Sequence, residues 1–167
     1  IAAGLALTLS TIASADPAAD PPAPIPAQQP DQMAAPMPPD QGAGVVAACS
    51  QFGAAINYAA TNYEDFAYNS AGSGNLVNYQ DPIVQNSNVV GRTALREAAS
   101  AAMSAANMPG VPPEVSSPMR SWSMHATKLV LIMGLRGGGD SLNNTANDMN
   151  SDAHEAQLAC ASNGARA

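Results

Sequence analysis

The stretch that decides the fold is Cys49–Phe66, CSQFGAAINYAATNYEDF. Its larger apolar residues, Cys49, Phe52, Ile56, Ala59, Tyr63 and Phe66, recur at intervals of 3, 4, 3, 4 and 3. That is the spacing of one stripe on an α-helix, and a strand would need alternation at every second residue. The first element of the body is therefore expected to be a helix that buries this stripe. It should end near Gly72-Ser73-Gly74, where the pattern fades into a loop-like stretch containing Asp81-Pro82.

The same rule carried toward the C-terminus gives three more helices. SNVVGRTALREAASAAMSAAN predicts a helix capped by Ser87 or Asn88 and ended by Pro109, Pro112 and Pro113. Ser116 or Ser117 ahead of Pro118 reads as the next helix start, and Met119, Trp122, Ala126, Leu129 and Met133 form its stripe. Gly137-Gly138-Gly139 stops that helix, and Asp140 or Ser141 is placed to cap a fourth. Its stripe is Leu142, Ala146, Met149, Ala153, Ala156 and Cys160, and its other face is rich in Asn and Asp. The expected fold is all-α, an antiparallel bundle of about four helices over residues 44–167.

The segment before the body has another character. Residues 1–12, IAAGLALTLSTI, are apolar and uncharged, and Ala13-Ser14-Ala15 has the small-x-small form that signal peptidase cleaves. Residues 1–15 are accordingly expected to be a signal peptide truncated at its start, too short to span a bilayer. Asp16 to Gln41 holds nine of the 14 prolines, four acids and no base. Residues 16–43 are expected to be a disordered, acidic Pro/Ala-rich linker, since prolines donate no hydrogen bonds and little apolar bulk offsets the entropy of ordering.

The two cysteines lie near the start of the first stripe and near the end of the last. In an up-down-up-down bundle those places share one end, so a Cys49 to Cys160 disulfide closing the domain is expected, and export supplies an oxidising compartment. Closing so long a loop is worth roughly 4 to 5 kcal/mol in the chain-entropy account. Val46-Ala47-Ala48-Cys49 has the outline of a lipobox, but it does not follow the apolar leader directly and is not read as one.

Composition excludes several functions. Six Lys and Arg stand against 13 Asp and Glu, a net charge of -7, which argues against a nucleic-acid partner or binding to anionic headgroups. Charged residues are only 11% of the chain, less than half of the roughly 25% of ordinary globular domains, so a highly charged disordered chain is not expected either. His125 and His154 are the only histidines and match no metal-ligand spacing; no Gly-x-Ser-x-Gly elbow occurs. Arg136-Gly137-Gly138-Gly139-Asp140 lacks the Gly-Lys-Ser/Thr of a phosphate loop and is read as a turn between helices. No catalytic residue, metal site or cofactor is expected, and the acids Glu64, Asp65 and Glu97 are too scattered to define a hydrolase.

One constellation admits a ligand. Tyr63, Phe66, Met103, Trp122 and His125 are the candidates for lining a pocket between helices, with Tyr58, Tyr68, Met119, Met124 and Met133 in the same aromatic and sulfur-rich set. Tyr, Met and His can ligate haem iron, and methionines adapt to irregular apolar molecules.

The order of apolar leader, acidic segment opening Asp16-Pro17-Ala18-Ala19-Asp20-Pro21-Pro22 and helical body bracketed by Cys49 and Cys160 resembles small secreted two-cysteine helical proteins of mycobacteria and related actinobacteria. The resemblance implies an exported or cell-envelope protein of undefined activity. The haem-binding haemophores are also helical with two bracketing cysteines, but this chain sets its cysteines much farther apart. The expected function is a secreted, non-enzymatic interaction or structural module with an envelope or protein partner and no membrane span once the leader is removed. The alternative is a carrier for a small apolar ligand or haem.

Overall fold

A computed structural model describes residues 39–71 and 76–167. Four helices make up this body: α1 Pro39–Ala71, α2 Pro82–Ala106, α3 Pro113–Gly134 and α4 Gly139–Ser162. Their short connections turn the chain back each time, giving the expected antiparallel all-α bundle. The readings of residues 1–15 as a leader and of 16–38 as linker lie outside the described residues. α1 itself begins at Pro39, inside the 16–43 stretch read as linker; a proline opens a helix without loss, because first-turn N–H groups have no partner within the helix.

Three helix starts differ from expectation. α2 begins five residues before Ser87, with Asp81 as N-cap in extended conformation and its carboxylate accepting from the Ile83 N–H at 2.8 Å. Asp-Pro is a turn signal and equally an N-cap followed by a first-position proline. The periodicity that would have shown the extra turn runs through Ser87, Asn88 and Gly91, which are buried yet not apolar. α3 likewise begins at Pro113, leaving Pro118 inside the helix rather than at its start. The fourth helix begins at Gly139 with Gly138 as N-cap and no side-chain cap, so Asp140 sits in its first turn rather than capping it.

The core forms where the stripes meet. Met119, Trp122, Ala126, Leu129 and Met133 are all buried, as their spacing requires. Phe52 from α1 meets Trp122 from α3 edge to face, with centroids 5.6 Å apart. Such a pair contributes beyond its buried area. Between α1 and α2 the buried side chains are mostly alanines, among them Ala55, Ala59, Ala94, Ala98, Ala102 and Ala105, which let two backbones come close. α2 and α3 are joined by side chains to backbone: Ser123 Oγ donates to the Ala99 carbonyl at 2.7 Å, and Arg120 Nη2 donates to the Ala106 carbonyl at 3.0 Å.

Cys49 and Cys160 form the expected disulfide, with both residues fully buried. It links the first and last helices at one end. At the other, the Tyr79 hydroxyl donates to the Gly137 carbonyl at 2.7 Å and joins the α1–α2 and α3–α4 connections.

Candidate functional site

α1 packs most extensively on α2, the α2–α3 and α3–α4 seams are nearly as extensive, but α1 and α4 meet only sparingly. The disulfide holds these two helices together at one end, and beyond it they part. Two turns from Cys49 and two turns from Cys160 a half-open cleft of about 370 Å³ begins between them. Its α1 wall is Ile56, Ala59, Ala60 and Tyr63. Its α4 wall is Ala146, Met149 and Ala153. Leu95, Trp122 and Leu129 from α2 and α3 form the floor, and Asn57 and Asn150 supply the polar amides. The volume is within the range of small-molecule sites, and an apolar lining with few polar groups is their usual composition.

Tyr63 is the most perturbed group of this cleft. Burial disfavours its phenolate and pushes its pKa up to about 12, with a further contribution from Tyr79. Its ring packs on Phe66 at 5.8 Å between centroids. Among the described residues its hydroxyl makes no hydrogen bond, which leaves a neutral phenol with a free donor. This is opposite to the state a haem-ligating tyrosinate requires.

The five residues singled out from the sequence do not converge. Tyr63 and Trp122 line the cleft; Phe66 is fully buried behind Tyr63 and beside Tyr79. Met103 is on α2 in a separate, shallower depression with Ser123 and Thr127 of α3. His125 is turned toward α4, its Nδ1 2.6 Å from Asp152 Oδ2 and its Nε2 3.9 Å from Asp148 Oδ2. A carboxylate can only accept, so Nδ1 carries the proton and the ring serves as a tie between α3 and α4. Of the wider aromatic and sulfur set, Met119 and Met133 are core, Tyr68 and Met124 are exposed, and Tyr58 donates to Glu97 at 2.9 Å. Glu64 and Asp65 are exposed on α1.

The lining residues that sequence reasoning did not assign to a site, above all Ile56, Leu129, Met149 and Ala153, belong to the helical stripes and were read as core. Asn57 and Asn150 carried no signal apart from flanking those stripes. Among the described residues no cluster of three or more His, Cys, Asp or Glu is placed to hold a metal ion. Nor is any helix there long and apolar enough to cross a membrane.

Residues 32–161 match the family described as Rv2240c four-helix bundle domain, which carries a mycobacterial name. The chain belongs to that family. The match takes in most of the four helices and both cysteines, so the bundle and its cleft lie within the family's domain. No curated protein and no solved structure matches the chain.

Proposed function

We propose that this chain is an exported, non-enzymatic binding domain that carries a small apolar molecule in the cleft between α1 and α4. The observation that supports this most is the cleft itself. Ile56, Tyr63, Ala146 and Ala153, which a closed bundle would bury, are only half-buried at a half-open gap, where leaving them wet is unfavourable and a ligand would cover them. Export is supported by the apolar run of residues 1–12 with Ala13-Ser14-Ala15, and by a disulfide that needs an oxidising compartment to persist. The cell envelope or the medium is the proposed location.

Native mass spectrometry of the protein recovered from culture medium tests the reading. A small-molecule adduct that leaves on activation is expected. An adduct-free protein whose Trp122 fluorescence ignores a panel of apolar probes would overturn it.

A second reading, an interaction module, has its own observation. Met124, Leu131 and Leu135 are 60%, 62% and 85% exposed. They recur at intervals of 7 and 4, which places Met124 and Leu131 on one outward stripe of α3 that continues to Leu135 at its C-cap. A partner protein seated there is expected to be released by Leu131→Glu with the cleft unaffected, as read by co-purification from the same medium.

A further inference from the structure

The cleft's ligand can be narrowed by charge. α1 and α4, which form its two walls, contain no Lys or Arg. Of the six bases, Arg92 and Arg96 are on α2, Arg120 and Lys128 on α3, and Arg136 and Arg166 in the segments that follow α3 and α4. None lines the cleft. The same two helices carry acids outside the lining: Glu64 and Asp65 are exposed on α1, and Asp148 and Asp152 on α4 face His125. An anionic headgroup entering here finds no cationic partner, and burying it without one is costly.

The polar groups on offer are neutral. Tyr63 keeps its proton and lacks a hydrogen-bond partner among the described residues, so it can donate, and the Asn57 and Asn150 amides can donate or accept.

Resting on the carrier reading above, we infer that the α1–α4 cleft takes an uncharged apolar molecule bearing a hydrogen-bond acceptor such as an ester carbonyl, received by the Tyr63 hydroxyl, and rejects the corresponding carboxylate. Haem propionates and free fatty-acid anions are thereby disfavoured, and neutral lipid esters are favoured.

The test uses the single tryptophan on the cleft floor as reporter. Trp122 fluorescence is titrated with methyl dodecanoate and with dodecanoate, both kept below aggregation, at about pH 8 where the carboxylate is ionised. The ester is expected to bind at least about tenfold tighter, a gap of about 1.4 kcal/mol. That gap should widen at low salt, where the exposed acids of α1 and α4 are less screened. Tyr63→Phe is expected to weaken the ester about fivefold and to leave dodecane binding unchanged, because only a hydrogen bond is removed. Asn57→Arg, on an exposed position, is expected to raise dodecanoate affinity by supplying the missing cation.

Dodecanoate binding as tightly as the ester, or a Tyr63→Phe variant with unchanged ester affinity, would overturn the neutral-ligand assignment and leave the carrier reading standing. Failure of all three probes to move Trp122 fluorescence would overturn both.

Discussion

Arg136 occupies the position after the α3 C-cap with φ of 57°, a left-handed conformation that a side chain disfavours by roughly 1 kcal/mol. The Arg136 N–H bonds the Met133 carbonyl and the Gly137 N–H bonds the Ile132 carbonyl, which together close the helix end. The glycine run begins one residue too late to relieve this position. Arg136→Gly is expected to raise stability by about 0.5 to 1 kcal/mol in chemical unfolding. α4 ends in the same hydrogen-bond pattern with Gly164 in the left-handed position, φ 72°, so Gly164→Ala is expected to cost about 1 kcal/mol. Tyr63 gives a pH signature. Its folded-state pKa of about 12 stands above the ordinary 10, so the neutral form is the one the fold favours. Its contribution is complete below pH 10 and is lost as pH rises from 10 through 12, on the order of 2 kcal/mol. Tyr63→Phe is expected to flatten that part of the stability profile, followed by thermal unfolding across the range.

The elements were readable from the sequence to the extent that apolar residues marked their faces. α3's stripe was complete because Met119, Trp122, Ala126, Leu129 and Met133 are all apolar and all buried. The start of α2 was not, because Val84, its first buried residue, is joined to the apolar stripe only through Ser87 and Asn88, whose polar groups are satisfied inside: Ser87 by the Ile83 and Val84 carbonyls, Asn88 by the Met133 carbonyl at 3.4 Å. Hydrophobic periodicity is blind to buried polar residues that find partners through the fold. Asp81→Ala is expected to destabilise by about 1 kcal/mol through loss of the N-cap bond to Ile83, with helix content reduced at the α2 start in hydrogen exchange. Were Ser87 the true start, that substitution would leave exchange there unchanged.

At the scale of the molecule the disulfide has two effects. It spans 111 residues, so its removal frees nearly the whole body in the unfolded state. A Cys49→Ala, Cys160→Ala double variant is expected to lose about 4 kcal/mol, measured against the oxidised protein by denaturant unfolding. The bond also fixes α1 beside α4 at the one end where they are joined, two turns from the cleft, so the same variant is expected to bind apolar probes more weakly even where it remains folded. Ile56, Tyr63, Ala146 and Ala153 were legible as stripe positions and are only half-buried, because the helix that would cover each is held away from it.

By itself the sequence determined the number of helices, their inward faces, the antiparallel order and the pairing of Cys49 with Cys160, since each follows from spacing along one chain or from short connections. Only the tertiary structure decided that one of the four helix seams, α1 to α4, stays open, and that Tyr63 and Trp122 meet there while Phe66, Met103 and His125 go elsewhere. Periodicity specifies which side of a helix avoids water. What covers that side depends on the separation of two helices distant in sequence, and no local pattern encodes that distance.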